Sequence, residues 1–261
     1  DAKEYDNLFK SAEARSHADW IVGINVTRAL TCRFNTSLSA GRVQTPTLAL
    51  IVERENAIKS FVSKEYFTVN AKTKDFVATY KDKKGIARIF DKQTAEDIAA
   101  KIRGKTGVIS ALTSQLKQTP PPAAYDLTEL QRDANKKYGF SAKETLAAMQ
   151  SLYERHKVLT YPRTDSRYIT EDVAETLGER LRALLRTPHA EFAKKLLKEP
   201  TLNTKYIVNS AKVTDHHAII PTEQQPDFSD MTAAERSIYD LVVRRFLAVL
   251  MTPFKYEETK I

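Results

Sequence analysis

Three consecutive prolines at positions 120–122 constrain the fold of this chain more than any other feature. Proline fixes its own φ angle and lacks the amide hydrogen that helices and sheets use, so this stretch is a stiff connector. Before it, residues 65–113 contain short alternating apolar segments separated by turn residues, which predict a small β-rich module. After it, and also in residues 1–60, apolar residues recur at helical spacing. The sequence therefore predicts an α+β protein that is predominantly helical.

The same patterns predict an order of modules along the chain. We expect a helical module in residues 1–62, a β-rich module in 63–116, a second helical module in 117–253, and a strand in 254–261 that returns to the β-rich module. Within the β-rich part, a strand is predicted near residues 108–112.

The first helical module contains a specific prediction of where a helix begins. Thr45 is followed by Pro46, so we expect Thr45 to be the N-cap and Pro46 the first helical residue. Leu48, Ile51 and Val52 then recur at helical spacing and predict a buried side for that helix.

Composition favours a polyanionic partner and gives no sign of a membrane protein. The chain carries 41 Lys and Arg against 33 Asp and Glu, a net charge of +8. No apolar run is long enough to span a bilayer and no signal-peptide pattern is present, so we expect a cytoplasmic protein. The single cysteine, Cys32, excludes a disulfide framework and a cysteine zinc cluster within this chain. We expect no metal site here.

The segment 159–169 contains a Tyr-Pro-Arg tripeptide whose chemistry suits attack on a phosphodiester. The proline disfavours helical geometry at Tyr161, and in an extended chain residues two apart point to the same side. Tyr161 and Arg163 should therefore project together, placing a phenol beside a permanent cation. The cation would stabilise a phenolate and hold a phosphate oxygen. Alone, the tripeptide is too common to establish a function.

A second motif, Gly-Arg-Val-Gln at residues 41–44, comes directly before the helix predicted near Pro46. A helix N-terminus offers free backbone N–H groups and a partial positive charge, so it can seat a phosphate. Glycine permits close approach of the backbone, Arg42 adds charge, and Gln44 can hydrogen-bond a sugar or base. Earlier in the chain, Arg15 and Asp19 lie four residues apart on a predicted helix, so they can pair.

These segments resemble, in the same order, the motifs of type IA DNA topoisomerases. The matching segments are 15–29, 39–48, the Tyr-Pro-Arg segment 159–169, and the His-His-Ala-Ile-Ile-Pro-Thr segment 216–222. The Tyr-Pro-Arg form is most like the topoisomerase III branch. The resemblance implies a gate fragment that cleaves one DNA strand through a 5′-phosphotyrosyl link, passes a strand and reseals, without ATP.

The resemblance also implies roles for individual residues. Tyr161 would be the nucleophile, Arg163 would neutralise charge on the phosphate, and His216 corresponds to the family's active-site histidine. The implied DNA-contact residues are Arg15, Asp19, Trp20, Arg28, Ser39, Ala40, Gly41, Arg42, Val43 and Gln44.

One part of the family pattern is missing from this sequence. Complete members begin with a magnesium-binding Toprim domain that supplies an aspartate cluster, and no Asp-x-Asp pattern occurs here. We therefore expect an excised piece of a longer protein, whose Mg²⁺ ligands lie outside this chain and which binds no cofactor itself. Such a piece should bind DNA, especially single-stranded DNA, weakly and cleave it poorly. The resembled family would act in the cytoplasm, associated with the nucleoid; protein partners remain unknown.

Two alternatives come from other functional classes. A helix at 126–138, a turn at Gly139, a helix at 141–155 and a strand at 158–161 fit the outline of a winged-helix DNA-binding regulator. Both interpretations can hold together, because a tyrosine domain can be built on such a unit. The third possibility is a structural or interaction module whose charges only solvate it.

Overall fold

The computed structural model describes residues 2–261, which form nine α-helices, four short strands and three 3₁₀ turns. This confirms the predicted α+β class with helix predominant. The described residues divide into two compact units, 1–107 and 108–261. The finer division at residues 62, 116 and 253 stays a prediction. None of the described helices is long and apolar enough to cross a membrane.

The first unit contains two long helices and a small α/β part. Its elements are a 3₁₀ turn Ala2–Tyr5, α1 Asp6–Phe34, α2 Gln44–Lys59, β1 Asn70–Lys72, β2 Val77–Thr79 and α3 Lys92–Ile102. β1 and β2 pair antiparallel, and an isolated bridge joins Phe67 to Ile89. Asp91 caps α3 by accepting a hydrogen bond from the Thr94 amide at 2.7 Å.

The predicted start of α2 is wrong by two positions. The helix begins at Gln44 with Val43 at its N-cap, so Pro46 is the third helical residue. The Thr45 hydroxyl points backward and accepts from the Gly41 amide at 3.0 Å instead of capping the helix. Pro46 fits there because the first four amides of a helix have no intrahelical partner.

The predicted buried side of α2 is also wrong. Leu48, Ile51 and Val52 are all exposed, at 59, 56 and 47% of their surface. The apolar spacing correctly predicted a helix. Within residues 2–107, however, no other helix or strand packs closely over the face that carries these three residues. α1 likewise has no buried side chain among its described residues.

The second unit places its core around one long helix. Its elements are β3 Thr113–Thr119, α4 Leu127–Tyr138, α5 Ala142–Glu154, α6 Glu171–Glu175, α7 Leu177–Ala183, a 3₁₀ turn Leu184–Arg186, α8 Ala190–Leu197, a 3₁₀ turn Ser210–Lys212, α9 Ala233–Val249 and β4 Phe254–Lys260. α9 packs on α4 and α5, so that Phe246, Leu130 and Leu152 are all buried. This core anchors the loops that carry the candidate site.

The predicted strand near residues 108–112 is displaced toward the C-terminus. Strand β3 begins at Thr113 because its partner β4 sets the register, with Thr113 opposite Lys260 and Thr119 opposite Phe254. The predicted final strand is therefore present as β4, and it pairs with β3 in an exposed two-stranded ribbon.

Helix starts in this unit follow the capping signals in the sequence. Ser141 and Glu144 form a reciprocal capping box at the start of α5. Asp126 caps α4 by accepting from the Glu129 amide at 2.7 Å. Gly139 ends α4 in the left-handed region, at φ 74°, which glycine adopts without steric cost.

Candidate active site

Two segments more than fifty residues apart lie side by side in the second unit and form the frame of the candidate site. Residues 158–164 run antiparallel to residues 216–222, with a bridge between Leu159 and Pro221. The Thr160 amide donates to the Ile220 carbonyl at 3.0 Å. The pairing therefore brings the Tyr-Pro-Arg motif and the histidine motif into one place.

Two threonine hydroxyls fix the frame on either side of Tyr161. Thr160 Oγ1 donates to the Ala218 carbonyl at 3.1 Å and accepts from the Ile220 amide at 3.0 Å. Thr164 Oγ1 donates to the His216 carbonyl at 2.9 Å. Since both hydroxyls bond backbone groups of the opposite segment, the backbone at Tyr161 is held at both ends.

The Tyr161 ring lies between two other rings at the edge of an open cleft. Its centroid is 4.2 Å from that of His216, with the planes tilted by 39°. The Tyr153 ring also makes a T-shaped contact with it, with centroids 5.4 Å apart and planes at 80°. Tyr161 is half-buried and lines a cleft of about 620 Å³, so its phenol is supported yet accessible.

The two arginines of the motif have different surroundings. Arg163 is exposed, and its guanidinium makes no hydrogen bond or ion pair with any residue in the described range 2–261. Arg167 instead donates to Asp126 Oδ2 at 2.6 Å and pairs with Glu129 at 3.2 Å. Arg167 therefore ties the motif to the start of α4, whereas Arg163 is free to meet an external anion.

Arg180 is buried and holds the C-terminal end of the histidine segment, residues 216–222, in place. Arg180 donates to the Pro221 carbonyl at 2.7 Å and pairs with Glu223 at 2.7 Å. Burial lowers the pKa of Arg180, and Glu223 partly opposes this effect. Burial also lowers the pKa of His217, whose Nδ1 lies 2.8 Å from the Ala218 carbonyl, so His217 is neutral near pH 7.

The Gly-Arg-Val-Gln loop lies in the first unit, where it is bound to α1. Thr27 Oγ1 accepts from the Ala40 amide at 3.0 Å and donates to the Ala40 carbonyl at 3.3 Å. Ala40 is buried, so its backbone anchors the loop, whereas its neighbour Ser39 is exposed. The Gly41 amide and carbonyl are both taken by Thr45.

The Asp19 carboxylate pairs with Arg42, although the helical spacing had predicted a pair with Arg15. Arg42 donates to Asp19 Oδ1 at 2.7 Å and to the Arg15 carbonyl at 3.4 Å. The predicted pair between Arg15 and Asp19 is therefore wrong, because a loop residue from 23 positions away competes for Asp19. Trp20 is 67% exposed and Arg28 is exposed.

The remaining loop residues lie at the surface. Val43 and Gln44 are exposed, and the Gln44 side chain lies close over Gly41. In the first unit, the side chains of Arg15, Trp20, Arg28, Arg42 and Gln44 are therefore all exposed to solvent.

The sequence did not single out three residues that shape the site. Tyr153 fitted the apolar face of α5, and nothing in its spacing separated it from core residues. Lys157 follows α5 with φ at 56°, in the left-handed region. Arg180 is a charged residue within an apolar helical pattern, which is the signal that could have revealed its buried role.

The part of the chain that the structure describes offers no candidate metal site. Among residues 2–261 there is no group of three or more His, Cys, Asp or Glu side chains placed to hold a metal ion. The adjacent histidines at 216 and 217 do not converge on one point, because His217 bonds a backbone carbonyl while His216 lies against Tyr161.

Comparison with known proteins identifies the family. Residues 3–261 match the family model described as DNA topoisomerase. The chain is 51% identical to the DNA topoisomerase 3 of Bacillus licheniformis and 50% identical to that of Bacillus subtilis, each over 260 residues and 99% of this chain. The solved structure of topoisomerase I from Thermotoga maritima superimposes with a TM-score of 0.70 at 29% identity, covering 95% of this chain.

The matches cover only part of each relative. The chain spans 36% of the two Bacillus proteins and 40% of the Thermotoga chain. The family match, the names of the Bacillus relatives and the fold agree with the resemblance seen in the sequence, including its topoisomerase III character. The chain belongs to the type IA family of DNA topoisomerases.

Proposed function

We propose that this chain is the part of an ATP-independent topoisomerase that carries the DNA-cleaving tyrosine. The observation that supports this most strongly is the position of Tyr161, half-buried against His216 at the edge of an open cleft. A tyrosine with a merely structural role would be expected to bury its ring and pair its hydroxyl, as Tyr125 does with Asp133 at 2.6 Å.

The reaction proposed for this site is a reversible transesterification. The Tyr161 oxygen attacks phosphorus, the bond from phosphorus to the 3′-oxygen breaks, and the leaving strand takes up one proton as the phenol loses one. The 5′-phosphate stays bound to Tyr161 until the 3′-hydroxyl attacks it and reseals the strand. No ATP is needed, because the phosphotyrosyl ester keeps the bond energy.

Two neighbouring side chains would assist this step. Arg163, which has no partner in the described structure, would hold a phosphate oxygen and offset the charge that develops in the transition state. The His216 imidazole would hydrogen-bond the same phosphate from the other side of the phenol.

The loop at residues 39–44, together with α1, would bind the DNA backbone. Arg15, Arg28 and Arg42 supply positive charge, and Asp19 orients Arg42 through their ion pair. The exposed Trp20 ring would stack on an unpaired base, which favours single-stranded DNA. The division into modules 1–62, 63–116, 117–253 and 254–261 belongs to this proposal.

The Mg²⁺ dependence implied by the family is assigned to parts of the protein outside this chain. The residues described here do not fit a metal site, and the roles proposed above are those of this chain's own side chains. A protein acting on chromosomal DNA in this way would work in the cytoplasm, at the nucleoid.

The two helices of the winged-helix outline are present, but the exposed charges of α5 do not suit a DNA-binding regulator. α4, the turn at Gly139 and α5 follow each other as expected, yet α5 exposes Glu144 and Glu154 against a single lysine, Lys143. A recognition helix that enters the major groove needs basic or amide side chains on its exposed face. The helix pair would therefore serve as the frame of the tyrosine domain.

The decisive experiment traps the covalent intermediate. In a complete topoisomerase that contains this chain, a cleavage-prone single-stranded oligonucleotide should become linked to Tyr161 and not to another residue. Tyr161→Phe should abolish the adduct while leaving binding intact. Tyr168→Phe is the matched control, because Tyr168 lies in the same segment and the hydroxyl that this change removes accepts a hydrogen bond from Lys212 alone among the described residues.

A second variant tests the cation. Arg163→Ala should slow adduct formation by about 10²- to 10³-fold, as for loss of one preorganised charge contact. Peptide mapping of the adduct to any side chain other than Tyr161 would contradict the proposal.

A further inference from the structure

The cleft beside Tyr161 has features that the cleavage chemistry does not use. Of the eight residues that line it, Tyr161 is the proposed nucleophile, while Tyr153, Glu154 and Lys157 have no role in the steps above. Its volume of about 620 Å³ lies in the range of small-ligand sites in proteins.

Tyr153 presents an unoccupied aromatic face at this cleft. Its ring makes a T-shaped contact with Tyr161, which covers at most one face, so at least one face of the Tyr153 ring has no aromatic or cationic partner among the described residues. The residue is 38% exposed although it ends an otherwise buried row on α5. Such a ring can stack on a base, and each base has a π-face for this contact.

Lys157 lies at the same cleft in a costly backbone conformation. Its φ of 56° is in the left-handed region, which glycine adopts far more easily than lysine. The turn is needed, since the next amide, Val158, donates to the Leu152 carbonyl at 3.0 Å and Thr222 Oγ1 donates to the Lys157 carbonyl at 2.6 Å. Glycine would make the same turn, so the lysine side chain is the feature that needs a reason.

We propose that this cleft is a nucleotide subsite for the strand bound to Tyr161, in which Tyr153 stacks on a base and Lys157 holds a phosphate. The two side chains come from the last turn of α5 and the residue that leads to the Tyr161 strand, so they are fixed to the same frame as the nucleophile. Glu154, the carboxylate of the lining, would repel a phosphate but can accept from a base amino group. The inference rests on the proposed function, because it assumes that single-stranded DNA reaches Tyr161.

The test separates base stacking from phosphate binding with two probes. The whole chain is titrated, by fluorescence anisotropy at several salt concentrations, with a labelled oligothymidine of about 8 nucleotides and with an abasic strand of equal length. Tyr153→Ala should weaken binding of the oligothymidine by about tenfold and leave the abasic strand unaffected. Tyr153→Phe keeps the ring and should bind both strands like the unsubstituted chain.

Lysine variants test the second half of the subsite. Lys157→Ala should weaken both strands alike and make the log–log salt slope less negative by about 0.7. Lys143→Ala, which removes the same charge at the other end of α5, should change neither. Lys157→Gly should lose affinity like Lys157→Ala yet keep its melting temperature within about 3 °C of the unsubstituted chain, because glycine accepts the turn.

Each contrary result has a definite meaning. Equal loss on both strands with Tyr153→Ala, no loss on either strand, or a loss with Tyr153→Phe would overturn the stacking assignment while leaving the proposed function in place. Equal slopes for Lys157→Ala and Lys143→Ala would overturn the phosphate contact. Absence of salt-dependent binding by the unsubstituted chain would overturn the subsite as a whole, whereas the proposed function fails only if the trapped adduct maps to a residue other than Tyr161.

Discussion

Replacement of Arg180 by methionine should loosen the histidine segment by an amount that the contacts of Arg180 allow us to work out. The change keeps an unbranched, largely apolar stem but removes the guanidinium and all its hydrogen-bond donors. The buried Pro221 carbonyl loses its partner at 2.7 Å, which costs about 1–3 kcal/mol. The Thr176 hydroxyl loses a donor, but it still bonds the Val173 carbonyl at 2.8 Å. Loss of the hydrogen bond from Arg180 to Thr176 should therefore add little to the decrease in the free energy of unfolding.

The ion pair adds a smaller amount. The Glu223 side chain is 40% exposed, so water screens its charge once Arg180 is gone and the pair contributes at most about 1 kcal/mol. Relief from burying the guanidinium opposes the loss, consistent with the lowered pKa of Arg180. The sum predicts that Arg180→Met lowers the free energy of unfolding by about 1–3 kcal/mol.

Two measurements check this value. Urea titration followed by far-ultraviolet circular dichroism gives the free energy, and Glu223→Gln is the control, with an expected loss below about 1 kcal/mol. Hydrogen exchange shows where the structure loosens. The amides of Thr160 and Thr222 bond across the two segments and should exchange faster in the variant than in the unsubstituted chain. An Arg180→Met variant as stable as Glu223→Gln, with both amides still protected, would refute the reasoning.

Three further changes test other contacts of the second unit. Thr160→Val removes the bonds to Ala218 and Ile220 and should cost about 1–3 kcal/mol in urea titration, with Thr160→Ser close to the unsubstituted chain. The lowered pKa of His217 means that the unfolded chain binds protons more readily than the fold, so stability should fall as pH drops below about 6.5. His217→Gln should flatten the dependence of the urea midpoint on pH. Asp126→Ala should cost about 1–2 kcal/mol by removing the cap of α4 and the partner of Arg167, whereas Asp126→Asn keeps the cap and should cost less.

The features that the sequence predicted correctly are mostly local. Capping boxes and helix ends depend on residues three or four apart, so the starts of α4 and α5 and the glycine that ends α4 could be recognised directly. The class of the fold followed from the same periodicities. The start of α2 was missed because Thr45 has two possible partners, and the backward bond to Gly41 is the one formed.

The features that the sequence could not predict depend on distant partners. Apolar spacing shows that α2 has an apolar side but not whether anything covers it, and Leu48, Ile51 and Val52 remain exposed. Helical spacing predicted an ion pair between Arg15 and Asp19, but the fold of the loop places Arg42 against the Asp19 carboxylate instead. The family motifs named Tyr161 and His216, yet the ring contact between them follows only from the strand pairing.

In the candidate site, the backbone on either side of Tyr161 is held rigidly, whereas the reactive phenol is not. The hydroxyls of Thr160 and Thr164 bond carbonyls of the opposite segment on either side of Tyr161, so the backbone there cannot shift without breaking both bonds. Among the described residues, the phenol itself is held by ring contacts with His216 and Tyr153 and by no hydrogen bond. A tyrosine that must reach a phosphate and later release it needs this combination, because a hydroxyl tied into the core would lose a hydrogen bond in every cycle. The sequence places a threonine on each side of the Tyr-Pro-Arg tripeptide, and the structure gives the reason for both.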